Sequence, residues 1–259
     1  MARTFTFVIH PYNEQTSLDL FLKTIDDIRR FVRDIDYSVT RERGTRRWII
    51  ESLHSSNPTI TVRPLLENEE LINAITDGIE SISKGTLEPP KHWNEPTLED
   101  LRRMRRLFRG RDRAKSVEFT REGGKPTKIE RDIGEKVEKI LRGGFAAFGS
   151  IEGTLEAVNL HGYPTFTIWD RLSNAPVRCY FPKDRIWSDR IKQLLEKRVI
   201  TRGKVNYFNN GLPRSIVSIE DVIDATPDLL SKTKAEFGSL SKDRPSDMIE
   251  FMRHIREGV

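Results

Sequence analysis

The fold turns on residues 149–160, Gly149-Ser150-Ile151-Glu152-Gly153-Thr154-Leu155-Glu156-Ala157-Val158-Asn159-Leu160, and on the strand-like segments downstream of them. This run reads as one long strand with Gly153 inside it, where a strongly coiled strand needs a bend or bulge. His161-Gly162 turns the chain. In 163–170, Phe166 and Ile168 alternate with Thr165, Thr167 and Trp169, and Ser173-Asn174 then leads into 177–181, where Val177, Cys179 and Phe181 share one face and Arg178 and Tyr180 the other. Pro182 ends the third strand.

Trp187, Ile191, Leu194 and Leu195 then recur at helical spacing. Two more strands, 199–208 and 213–220, meet at Asn209-Asn210-Gly211, whose Asn-Gly pair is a hairpin signal. The element order over 147–224 is therefore three strands, a helix and two strands. In this order, with its glycine-bearing first strand and its closing hairpin, the segment resembles an OB-fold domain. An SH3-like or other small barrel fits the same pattern. The two-part chain is also similar to bacterial proteins that join an α/β N-terminal part to a small C-terminal barrel, a likeness that names no activity.

Upstream, Phe5, Phe7 and Ile9 alternate with Thr4, Thr6 and Val8 as one strand. From Ser17, a good N-cap, Leu18, Phe21, Leu22, Ile25, Ile28, Val32 and Ile35 mark an amphipathic helix. A hairpin is expected over 46–55 and 59–65, then a helix over 68–84 stopped by Gly85. The prolines between Leu87 and Pro96 read as a connector. Thr97 with Asp100 reads as the cap of a third helix running towards Phe108. A second hairpin around Glu122-Gly123-Gly124 and a short helix precede Gly143-Gly144. The fold class is α+β: an N-terminal β-α-β-β-α-type domain over 1–143, an OB-like barrel of β-β-β-α-β-β order over 144–225, and a linker with a C-terminal amphipathic helix over 226–259.

The chain has 259 residues, 44 Lys and Arg against 39 Asp and Glu, and a formal charge of +5, so it permits attraction to anionic partners without requiring it. Nothing in it is apolar for long enough to span a bilayer, and Met1 to Phe5 opens without a hydrophobic leader; no membrane association and a cytoplasmic location are the expectations. The one cysteine, Cys179, reads as core filler. His10, His54, His92, His161 and His254 show no ligand spacing, and no serine sits in a nucleophile elbow, so no metal, no cofactor and no catalytic residue is expected.

Binding residues are the more natural reading. The OB resemblance implies a ligand face on the second and third barrel strands, which points to Trp169, Arg178 and Tyr180, with Arg202 and Lys204 flanking on the fourth. Aromatic faces stack bases and cations follow phosphates. The same aromatic residues could instead pack against the N-terminal domain. The most basic run adds Arg102, Arg103, Arg105, Arg106 and Arg109, expected to fan across the solvated side of the third helix, where several phosphates could be engaged. The expected function is non-enzymatic binding of single-stranded DNA or RNA. The alternative is an antitoxin or accessory subunit of a bacterial toxin or defence system, in which Met248, Phe251, Met252 and Ile255 of the C-terminal helix hold a toxin or effector protein; that tail loosely resembles those of bacterial antitoxins.

Overall fold

Alternation in the first strand sets the N-terminal half. The computed structural model describes residues 4–41, 48–54 and 58–225. In β1 (Phe5–Pro11), Phe5, Phe7 and Ile9 are all buried on one face. α1 (Leu18–Thr40) begins where the Ser17 hydroxyl accepts the Leu20 N–H at 3.0 Å, and lays Leu20, Ile28, Phe31, Val32 and Ile35 on that face. β2 (Trp48–His54), β3 (Thr59–Pro64) and α2 (Glu69–Ser83) come next, the last capped by Asn68. After α3 (Glu95–Arg103) and a 3₁₀ turn (Met104–Phe108) come β4 (Ala114–Arg121), β5 (Thr127–Ile129) and α4 (Ile133–Arg142). The five strands form one antiparallel sheet in the order β2-β3-β1-β4-β5, and its buried face shares one apolar core with the helices.

The third helix departs from expectation at both ends. Asn94, not Thr97, is its N-cap: the Asn94 side chain accepts the Thr97 N–H at 3.0 Å, and Pro96 lies in the first turn, where its missing N–H costs nothing. The α-helix also stops at Arg103, and the remaining residues to Phe108 tighten into the 3₁₀ turn. The basic run is thus spread over a helix end, a 3₁₀ turn and a loop.

The second half closes on itself. β6 (Phe145–Asn159), β7 (Thr165–Asp170), β8 (Ala175–Tyr180), α5 (Arg185–Gln193), β9 (Arg198–Tyr207) and β10 (Pro213–Asp224) have the order read from the sequence, although β6 starts four residues before the expected Gly149. The strands form a closed barrel, β6-β7-β8-β10-β9 and back to β6. β10 runs parallel to β8, in register only at Ser215 with Arg178 and Ile216 with Cys179. Gly153 is needed for close approach: a Cβ there would collide with the carbonyl oxygen of Trp169 on β7, and the register breaks just beyond, between Leu155 and Ala157. Leu155, Phe166, Ile168, Val177, Cys179, Val205 and Ile216 fill the barrel, and Ile191 and Leu194 from the α5 region join them. No helix among the described residues is long and apolar enough to cross a membrane.

Candidate nucleic-acid interface

The outer face of β7 and β8, where the sequence predicts ligand residues, is largely occupied by the chain itself. Trp169 does point away from the barrel interior, but it is only 3% exposed. Its ring meets Tyr37 of α1 edge-on, with centroids 5.6 Å apart and planes at 85°, and the Arg41 guanidinium lies 4.4 Å over it. The Tyr37 hydroxyl donates to Glu156 Oε2 at 2.5 Å and Arg41 donates to Glu156 Oε1 at 3.0 Å, which fixes α1 against β6. The expectation that Trp169 stacks a base is therefore corrected: burial by α1 removes its faces from solvent, and packing against the N-terminal half is its role.

Arg178 is drawn into the same seam. It lines a cleft of about 110 Å³ with Asp34, Tyr37, Asn94 and Thr167, and its charge lies close enough to act on Glu95. Burial raises the Glu95 carboxyl above its ordinary range, while Arg214, 3.4 Å away, and Arg178 pull it down. Arg214 also donates to the Leu141 carbonyl. The closing hairpin of the barrel reaches across too: Asn209 donates to the Leu87 carbonyl at 3.4 Å.

Tyr180 keeps more freedom. Its ring lies 6.1 Å from that of Tyr163, and the two flank a cleft of about 590 Å³ with Phe181, Pro182 and Ile219, opening where the β8–β10 pairing has ended. Arg202 and Lys204 are exposed on β9, opposite Ser150 and Phe148 respectively, and neither forms an ion pair among the described residues. Phe148, 73% exposed, escapes the sequence reading because that reading starts the strand one residue after it.

The basic run divides into arginines that pair with carboxylates and arginines that do not among the described residues. Arg102 donates to Glu138 at 2.8 Å and to Glu99 at 2.6 Å, Arg103 pairs with Asp100 at 3.1 Å, and Arg106 holds the buried Asp27. All five keep solvent contact, but carboxylates on α1, α3 and α4 pair with these three and occupy part of their hydrogen-bonding capacity. Hydrogen bonds from Arg102 and Arg142 hold Glu138 below its ordinary carboxylate range, so this acid stays ionised.

Arg105 and Arg109 have no such partner among the described residues. They line a groove of about 860 Å³ between the α3 end with its 3₁₀ turn and α4, and there they are joined by Arg131 and Lys139, which also lack an acidic partner among those residues. The Arg105 stem lies across Gly134 in the first turn of α4. In all, six cationic side chains line the groove, Arg102 and Arg142 included, against two carboxylates, Glu135 and Glu138. Sequence reading misses Arg131 and Lys139 because the basic run draws attention to one segment, whereas the groove is built from two segments about 30 residues apart in a fold that packs α3 on α4. The usable signal is the α4 pattern: Lys139 and Arg142 fall on the side opposite Val137, Ile140 and Leu141.

No group of three or more His, Cys, Asp or Glu able to hold a metal occurs among the described residues. Met248, Phe251, Met252 and Ile255, expected to hold a protein partner, lie outside the described residues. No family model matches the chain, no characterised protein matches its sequence, and no solved structure matches its fold.

Proposed function

We propose that the protein is a non-enzymatic binder of single-stranded nucleic acid that acts in the cytoplasm and takes the phosphate backbone into the groove between α3 and α4. The observation that carries this reading is the convergence of Arg105, Arg109, Arg131 and Lys139, none of them paired with a carboxylate among the described residues. Four like charges held together repel one another, and a polyanion relieves that repulsion while releasing its own counterions. Guanidinium groups suit phosphate oxygens because their planar forks donate two hydrogen bonds at once. Relative to the reading from sequence alone, the weight moves from the face of β7 and β8 to this groove.

The test is a titration of labelled oligothymidine at a series of salt concentrations. With four phosphate contacts, the log of the association constant should fall with log salt at a slope of about −3. Absence of binding at low salt, or affinity indifferent to salt, sinks the reading.

A further inference from the structure

We infer that Phe145 is a stacking platform for an unpaired base of the strand whose backbone lies in the groove; this rests on the nucleic-acid reading above. The groove reaches Gly143, two residues before Phe145. Between them Gly144 adopts φ +96°, a conformation that side chains disfavour, and its Cα passes so close to β9 that a Cβ would collide with the Tyr207 carbonyl. This tight turn leads directly into Phe145, the first residue of β6, two residues past Gly143 at the edge of the groove.

The Phe145 ring is already oriented. It stacks on Tyr207 with centroids 4.9 Å apart and planes 20° from parallel, yet Phe145 remains 57% exposed. One side of the ring is held by Tyr207 and the rest faces water. A base stacking there therefore finds a ring that loses little further rotamer freedom, which is what makes a preformed aromatic surface effective. A single exposed phenylalanine is ordinary on a protein surface. This one differs in being stacked in advance and in adjoining a groove that holds four cations without acidic partners among the described residues. An apolar side chain of a protein partner would cover Phe145 but leave those cations unanswered. A single strand satisfies both, because its bases are free to leave the backbone and lie on a ring, whereas those of a duplex are stacked and paired.

The experiment compares labelled oligothymidine with the same strand in duplex with oligoadenine, by fluorescence anisotropy on the full chain. Phe145→Ala should weaken single-strand binding by about tenfold while leaving duplex affinity and the salt slope unchanged, since no phosphate contact is removed. Phe145→Trp should restore the single-strand affinity. Phe145→Leu, which keeps apolar cover over Tyr207 but offers no ring, should behave as the alanine variant and so separates stacking from folding. Equal losses on single strand and duplex, or wild-type binding by the leucine variant, overturn the inference and leave the groove reading standing. If the wild type binds no oligonucleotide at low salt, the nucleic-acid reading fails and the inference falls with it.

Discussion

Arg106 holds the carboxylate of Asp27 through two hydrogen bonds, Nε to Oδ2 at 2.9 Å and Nη2 to Oδ1 at 2.5 Å, and so ties the 3₁₀ turn to the middle of α1. The Asp27 side chain is only 1% exposed, and burial raises its carboxyl above the ordinary range even though Arg106 pulls the other way. Removing the arginine leaves a buried acid without its partner. Arg106→Ala should cost about 3 kcal/mol of stability in urea denaturation, reduced if Asp27 takes up a proton. Arg109→Ala, which breaks no ion pair among the described residues, should stay within about 0.5 kcal/mol.

Arg105 and Arg109, without acidic partners among the described residues, carry the opposite signature. Arg105→Glu with Arg109→Glu should leave the melting temperature nearly unchanged and lower oligothymidine affinity by more than about tenfold at moderate salt. The salt slope should become shallower by about 1.4, the share of two lost contacts. An unchanged slope would place the phosphate contacts elsewhere.

Trp169 gives a contrasting prediction, because its ring belongs to the seam between the two halves of the chain. Trp169→Ala should destabilise the protein by about 3 kcal/mol through the cavity it leaves beneath Tyr37 and Arg41. Tyr37→Phe, which strips the hydrogen bond to Glu156, should cost about 1 kcal/mol. At temperatures where both variants remain folded, neither should alter the salt slope of oligonucleotide binding.

Asp100 makes stability depend on pH. Burial, then the nearby charge of Asp34, push its carboxyl from the ordinary 3.8 up to about 6, against the pull of Arg103, Arg30 and Arg33. The folded state therefore holds this proton more tightly than the unfolded chain does. Its contribution is fully present below about pH 4 and is lost as pH rises through about 6. Asp100→Asn cannot ionise, so between about pH 4 and pH 7 wild-type stability should fall relative to the variant by about 2 to 3 kcal/mol. Urea denaturation of both proteins at the two pH values measures this directly. A constant difference would mean that Asp100 titrates normally.

Much of the architecture is legible in the sequence because its signals are local. Alternation places β1, β7 and β8, helical spacing places α1 and α2, and Asn210-Gly211 marks the last hairpin. The start of α3 misleads because Thr97 with Asp100 imitates a capping pair, while Asn94 three residues earlier supplies the oxygen that accepts the Thr97 N–H. The binding surface is less legible, for two separate reasons. Whether Trp169 is open or covered depends on α1, more than 100 residues away, and no periodicity within β7 carries that information. Equally, Arg102 and Arg105 look alike in sequence and both line the groove, yet one pairs with Glu99 and Glu138 while the other has no acidic partner among the described residues.

Phe208, just beyond β9 in the closing hairpin of the barrel, is buried in the core of the N-terminal half, not in that of the barrel. A chain cut at the Gly143-Gly144 junction would take this ring away from the helices that enclose it, leaving a hole on one side and a bare phenylalanine on the other. The two halves are therefore poor candidates for separate expression, and their melting should be coupled: loosening the barrel hairpin should also loosen the wall of the groove, since Asn209, the next residue, rests against Gly143.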